Sequence, residues 1–207
     1  MTPLLPHPPS RAEMVSEVRR MHELASEKRW QDALAIAQQL EAACASLEVK
    51  SGYLAWALAV FHDNLGNLEL ALTYIVKALA LDPLGPATDD SLRIIVDRVR
   101  KALATEPWND ASPRLYTMLA ENGLADPACH VAWATHLHAT GRHDEALEVA
   151  RSIALLNPGC TSAFKVVETI ALALGREDLA REASLRSKMA AREDPADGWN
   201  TAKWGQA

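Results

Sequence analysis

Aromatic residues make up only 5% of this 207-residue chain, and few β-branched runs occur in it. That scarcity removes the usual material of a sheet, since strands draw on Val, Ile, Thr, Tyr, Phe and Trp. Cysteine is scarce as well. Cys44, Cys129 and Cys160 are odd in number, far apart and never arranged as CxxC. Neither a zinc knuckle nor a redox dithiol is encoded, and small buried or half-buried thiols in a reducing compartment are expected. No apolar run approaches the roughly 20 residues of a membrane-spanning helix. The opening MTPLLPHPPSRAEM has no basic start and no continuous apolar stretch, so no secretory signal is expected. A Gly-rich phosphate loop and a G-x-S-x-G elbow are also missing. The expectation is a cytoplasmic protein that is not an enzyme and holds no cofactor.

What the chain has instead is Ala and Leu, with 49% hydrophobic and 23% charged residues, enough for one sizeable core. Both residues lose little freedom in a helix, so the composition favours an all-α fold. The formal net charge of −6 argues against a nucleic-acid partner. The one compact basic patch, Arg93, Arg98, Arg100 and Lys101, alternates with Asp89, Asp90 and Asp97 and reads as a solvated helix face.

Residues 1–11 contain four prolines and should form an extended, poorly ordered arm. Ten helices follow in the pattern of apolar residues and breaks: Ala12 to Ser26, Trp30 to Leu47, Gly52 to Asn64 and Leu68 to Leu81 are the first four. Thr88, Asp89 and Asp90 offer N-caps for a fifth, ending near Ala104. Ser112-Pro113 opens a short sixth, and Asp126-Pro127 a seventh reaching Thr140, with proline where its missing N–H costs nothing. Arg142 to Leu156, Thr161 to Leu174 and Arg176 to Arg192 complete the set, and residues 194–207 read as a tail.

The helix starts repeat. Gly66, Gly141 and Gly175 are each followed five residues later by alanine, at Ala71, Ala146 and Ala180. Gly141 and Gly175 are 34 residues apart, and Pro83 and Pro158 each lie 17 residues past their glycine. Lys28 and Ala33 stand in the same relation near the N-terminus. A glycine at positive φ ends one helix and starts a turn, alanines let a facing helix approach, and proline stops the second helix.

On these residues the chain resembles the tetratricopeptide repeat family. The resemblance implies an α-solenoid of about five antiparallel helix pairs in a right-handed superhelix. The repeat domain would span 12–193, with the clearest units at 52–83, 127–158 and 160–193. Residues 84–125 form a degenerate pair, read as continuing the stack rather than interrupting it. Positions where the family carries a bulky residue early in the first helix hold Ala55 and His130, with Trp56 and Trp133 close by.

In such a solenoid the first helix of each pair lines a concave surface. Counted from the repeat glycines, the residues facing it are Tyr53, Trp56, Val60, Asp63 and Asn64, then Val131, Thr135 and His138, then Lys165 and Thr169. Some family members clamp a peptide carboxylate with Lys and Asn at positions held here by Trp56 and Val60, so the clamp is not carried over. An aromatic-apolar groove suits an extended or helical segment with hydrophobic anchors. Trp56 equally fits plain packing between repeats. In the tail, Trp199 and Trp204 either cap the last helix or dock on a partner.

The cluster His130, His136, His138 and His143 is the strongest enzymatic feature. Residues 136 and 138 point apart on a helix, and a metal site needs a further group from elsewhere, so no metal is expected. Cys160 near a helix start reads as a structural thiol, and carboxylates such as Asp144 and Glu145 as helix-dipole partners. The leading reading is an adaptor that binds a protein or peptide in the concave groove. The alternatives are a cytoplasmic chaperone for a secreted or assembly protein and, behind it, a His-rich metal-dependent enzyme. Exposed apolar ends of a solenoid also allow a homo-oligomer.

Overall fold

The computed structural model describes residues 10–83 and 85–193. These hold ten helices and no strand: α1 (Arg11–Ser26), α2 (Trp30–Ser46), α3 (Gly52–Asn64), α4 (Leu68–Leu81), α5 (Pro86–Thr105), α6 (Ser112–Glu121), α7 (Pro127–Ala139), α8 (His143–Leu156), α9 (Thr161–Ala173) and α10 (Glu177–Glu193). The tail tryptophans Trp199 and Trp204, and most of the Pro-rich arm, lie outside the described residues.

Two boundaries differ from the sequence expectation. Ser10 belongs to a cap rather than an arm: its hydroxyl accepts from the Glu13 amide, and the Glu13 carboxylate accepts from the Ser10 amide at 2.7 Å. This reciprocal pairing satisfies two helix-end donors and starts α1 at Arg11. Helix α5 begins at Pro86, which places Thr88, Asp89 and Asp90 inside the helix rather than at its cap. Proline tolerates the first turn, so the helix extends upstream of those cap-forming residues.

The chain forms two compact units, 1–99 and 100–207, and the division falls within α5. Residues 84–125 are therefore shared between them. In the first unit α1 pairs with α2 and α3 with α4, and α2 also packs on α3. Its core joins Met21, Leu24, Ile36, Leu40, Leu58 and Phe61, with Trp30, Trp56 and Tyr74 packed against it. In the second, α7 pairs with α8 and α9 with α10, while α9 also contacts α7 and α8. Leu137, Leu147, Val167 and Ile170 form its centre. Each fully buried Leu or Ile contributes about 2 kcal/mol over an exposed one.

The turns within the α1–α2, α3–α4, α7–α8 and α9–α10 pairs share one geometry. Lys28, Gly66, Gly141 and Gly175 have φ of 60°, 79°, 83° and 67°. The residue after each donates its amide back across the turn: Arg29 to Leu24, Asn67 to His62, Arg142 to Leu137 and Arg176 to Ala171, at 2.8–2.9 Å. The preceding amide bonds the next carbonyl along the helix, for example Gly66 to Asp63 at 3.0 Å. Together these bonds satisfy the last carbonyls of the first helix and reverse the chain. The alanines that follow, Ala33, Ala71, Ala146 and Ala180, are buried, so the two backbones of a pair approach closely. At the position of Ala78 the later pairs bury Ile153 and Ser187.

Candidate functional site

In the first unit, α3 carries Tyr53, Trp56, Val60 and Asn64 at spacings of three and four, which puts them on one face. The Tyr53 and Trp56 rings lie 5.5 Å apart, and the Tyr53 hydroxyl shares a hydrogen bond with Nε2 of His22 on α1. Trp56 is half-buried, and its indole N–H donates to the Ser91 hydroxyl at 2.9 Å. Val60 packs on the core, and the Asn64 amide donates to the Val60 carbonyl at 2.8 Å.

Asp63 turns inward from that face. Its carboxylate is buried and accepts from Arg98 of α5 at 2.8 Å, while Oδ1 has no hydrogen-bond partner among the described residues. Next to it, buried His62 stacks on Tyr74, with ring centroids 5.6 Å apart. Burial pushes the His62 pKa down, against the pull of Glu41. Glu41 accepts from the Tyr74 hydroxyl at 2.9 Å and from Lys77 at 2.7 Å. These polar groups tie helices together, as Arg98 does from the basic stretch of α5. Arg100 likewise donates to the Leu124 carbonyl at 2.7 Å, so Arg98 and Arg100, both read as solvated, reach groups outside α5.

The second unit contains an open cleft of about 720 Å³. The end of α5 (Leu103, Ala104), the connection Glu106–Trp108, α7 (Ala128, Val131, Ala132, Thr135, His136, Ala139) and Ser162 at the start of α9 line it. Its lining is largely apolar and open to solvent, which suits a side chain laid along the surface rather than a fully enclosed ligand. Behind it the aromatic rings stack in series. Trp108 lies 4.7 Å from His136 and 5.5 Å from Trp133, and Tyr116 lies 4.9 Å from Trp133. Trp108 is locked by its N–H bond to the Leu103 carbonyl at 2.9 Å, and the Arg142 guanidinium sits 5.9 Å from the Trp133 ring centre. Such stacking makes a rigid apolar wall without further ordering cost.

Of the residues anticipated for the second unit, the cleft brings together Val131 and Thr135. His138 faces His143 instead, with their Nδ1 atoms 2.9 Å apart. Lys165 and Thr169 are exposed on α9 outside the cleft lining. Trp108 and His136, which supply the aromatic side of its lining, are not among the residues the sequence reading named for the groove. A tryptophan beside Pro107 in a connection was the available signal, because such a ring must be covered by something.

The four histidines do not converge. His130 shares a 2.8 Å hydrogen bond with Tyr116, His136 stacks on Trp108, and His138 pairs with His143. Among the described residues, no three His, Cys, Asp or Glu side chains are placed to hold a metal. Burial lowers the His130 pKa, with Asp126 opposing. Cys129 is fully buried, and burial first, then Asp126, pushes its thiol up to about 12. It is therefore a protonated packing group at neutral pH, not a nucleophile. No described helix is long and apolar enough to cross a membrane.

No protein-family model and no curated protein matches the chain. Among solved structures it is similar to MamA MSR-1, at 15% identity over 87% of this chain and 97% of that one, with a TM-score of 0.42. MamA AMB-1 gives 17% identity over 87% and 92%, with a TM-score of 0.45. MamA from Desulfovibrio magneticus RS-1 gives 11% over 88% and 97%, with a TM-score of 0.41. At such identities and scores, nothing is carried from those chains to this one.

Proposed function

We propose that this chain is a cytoplasmic interaction protein of the tetratricopeptide type, which holds a hydrophobic segment of a partner protein in the cleft of its second unit. The cleft itself carries the reading: it is open and walled by Trp108, His136 and Val131, with Thr135, Glu106 and Ser162 among its few polar groups. Apolar anchors would supply the affinity and the scattered polar groups would set the orientation. A helical or extended segment with one or two large side chains fits this division of labour. The α3 face is the weaker candidate, because the Trp56 N–H is already bonded to Ser91 and Asp63 to Arg98. Tyr53, Val60 and Asn64 remain there as a secondary contact surface.

The reading is tested by selecting binders from a random peptide library on the immobilised protein. Selected peptides should be enriched in aromatic and branched aliphatic residues. They should lose binding at least about tenfold to a Thr135→Arg variant, which places a charged side chain in the cleft from an exposed position. Peptides that bind the variant as well as the parent would place the site elsewhere.

A further inference from the structure

The chain itself carries a segment of the kind this cleft suits. After α10 ends at Glu193, 14 residues remain, DPADGWNTAKWGQA, and they hold two of the six tryptophans. The position of that end matters. Helix α10 follows α9 through the short connection Leu174–Arg176 and packs against it, so the two run antiparallel. The end of α10 therefore lies at the same end of the pair as the start of α9. Ser162, in the first turn of α9, is part of the cleft wall. The described chain thus ends at the end of the α9–α10 pair that carries Ser162, one helix away from the cleft wall.

Its reach is sufficient. At roughly 3.3–3.6 Å per extended residue, Trp199 reaches about 20 Å from Glu193 and Trp204 about 36–40 Å. Two indoles in an otherwise polar stretch gain by leaving water, and the cleft offers stacked rings and apolar side chains at the end of that path. We propose that residues 194–207 are an internal ligand: the tail returns along the start of α9 and seats its tryptophans in the cleft, so that a partner binds by displacing it. This rests on the cleft being a peptide site. It adds that the site regulates its own access.

A short tether gives the tail an effective concentration of about millimolar. If the free tail binds with a Kd on the order of 100 μM, the tethered one weakens any competitor roughly tenfold. The experiment uses a fluorescent synthetic peptide of residues 194–207 and three full-length proteins: the parent, W199A/W204A, and W199A/W204A/T135R. The double variant should bind the peptide, the parent about tenfold more weakly, and the triple variant not measurably. Equal affinity for parent and double variant overturns the proposal, as does binding to the triple variant. A parent that dimerises with concentration while the double variant stays monomeric puts the tail in a second copy and also overturns it. A double variant that takes selected library peptides but ignores the tail peptide refutes the internal ligand alone. One that takes neither refutes the cleft reading as well.

Discussion

Lys28 occupies a backbone conformation, φ 60°, that the equivalent turns after α3, α7 and α9 give to glycine. A side chain in that left-handed region costs about 1 kcal/mol, because its Cβ crowds the neighbouring carbonyl. Lys28→Gly should therefore raise the urea midpoint, by an amount worth less than about 1 kcal/mol once the added freedom of the unfolded chain is subtracted. Gly141→Ala should lower it by about as much. A Cβ at Gly141 meets no atom within 4 Å, so strain alone decides that outcome. A second residue-level effect concerns pH. Burial holds the His62 and His130 pKa values below that of an ordinary histidine, so the unfolded chain binds these protons first on acidification. Their contribution is fully present above about pH 6.5 and is lost as pH falls through the folded values. Urea midpoints should drop between about pH 7 and pH 5. The drop should be shallower in His62→Phe, which keeps the stack on Tyr74 without a titrating ring.

Within the helix pairs, small buried residues set the distance between helices. Ala146 is wholly buried where α8 faces α7, and Ala146→Leu should cost about 1–3 kcal/mol by wedging the pair apart. Thermal denaturation followed by circular dichroism measures this. The same change at exposed Glu148 should have little effect. This spacing was plain in the sequence because it is local. Glycine, alanine and proline recur at fixed offsets, and α3 and α4 occupy the spans the pattern predicts. Where cues overlap, the local signal misleads: three consecutive cap-forming residues, Thr88 to Asp90, lie inside α5, which starts at Pro86. The face of α3 was legible in part. Tyr53, Trp56, Val60 and Asn64 follow helical spacing, but Asp63 sits about 100° around the helix from Asn64 and turns inward to Arg98. The cleft was hardly legible. Its wall joins a helix end, a connection and two other helices, and Trp108 lies in a segment with no periodicity to place it.

The four-helix core of the second unit and the stacked rings beside it leave an apolar cleft open, and the account rests on that cleft being where a partner segment sits. Its chemistry points to protein rather than nucleic acid: the chain carries net charge −6, and among the described residues the cleft is lined by Glu106 and no Lys or Arg. Apolar binding of this kind should persist in high salt, where contacts made mainly through charge fade. The central claim is tested most directly by hydrogen–deuterium exchange of the protein with and without a selected peptide. The account predicts new protection in residues 103–108 and 128–139, with the amides of α3 unchanged. Protection confined to α3, or none in the second unit, would contradict it.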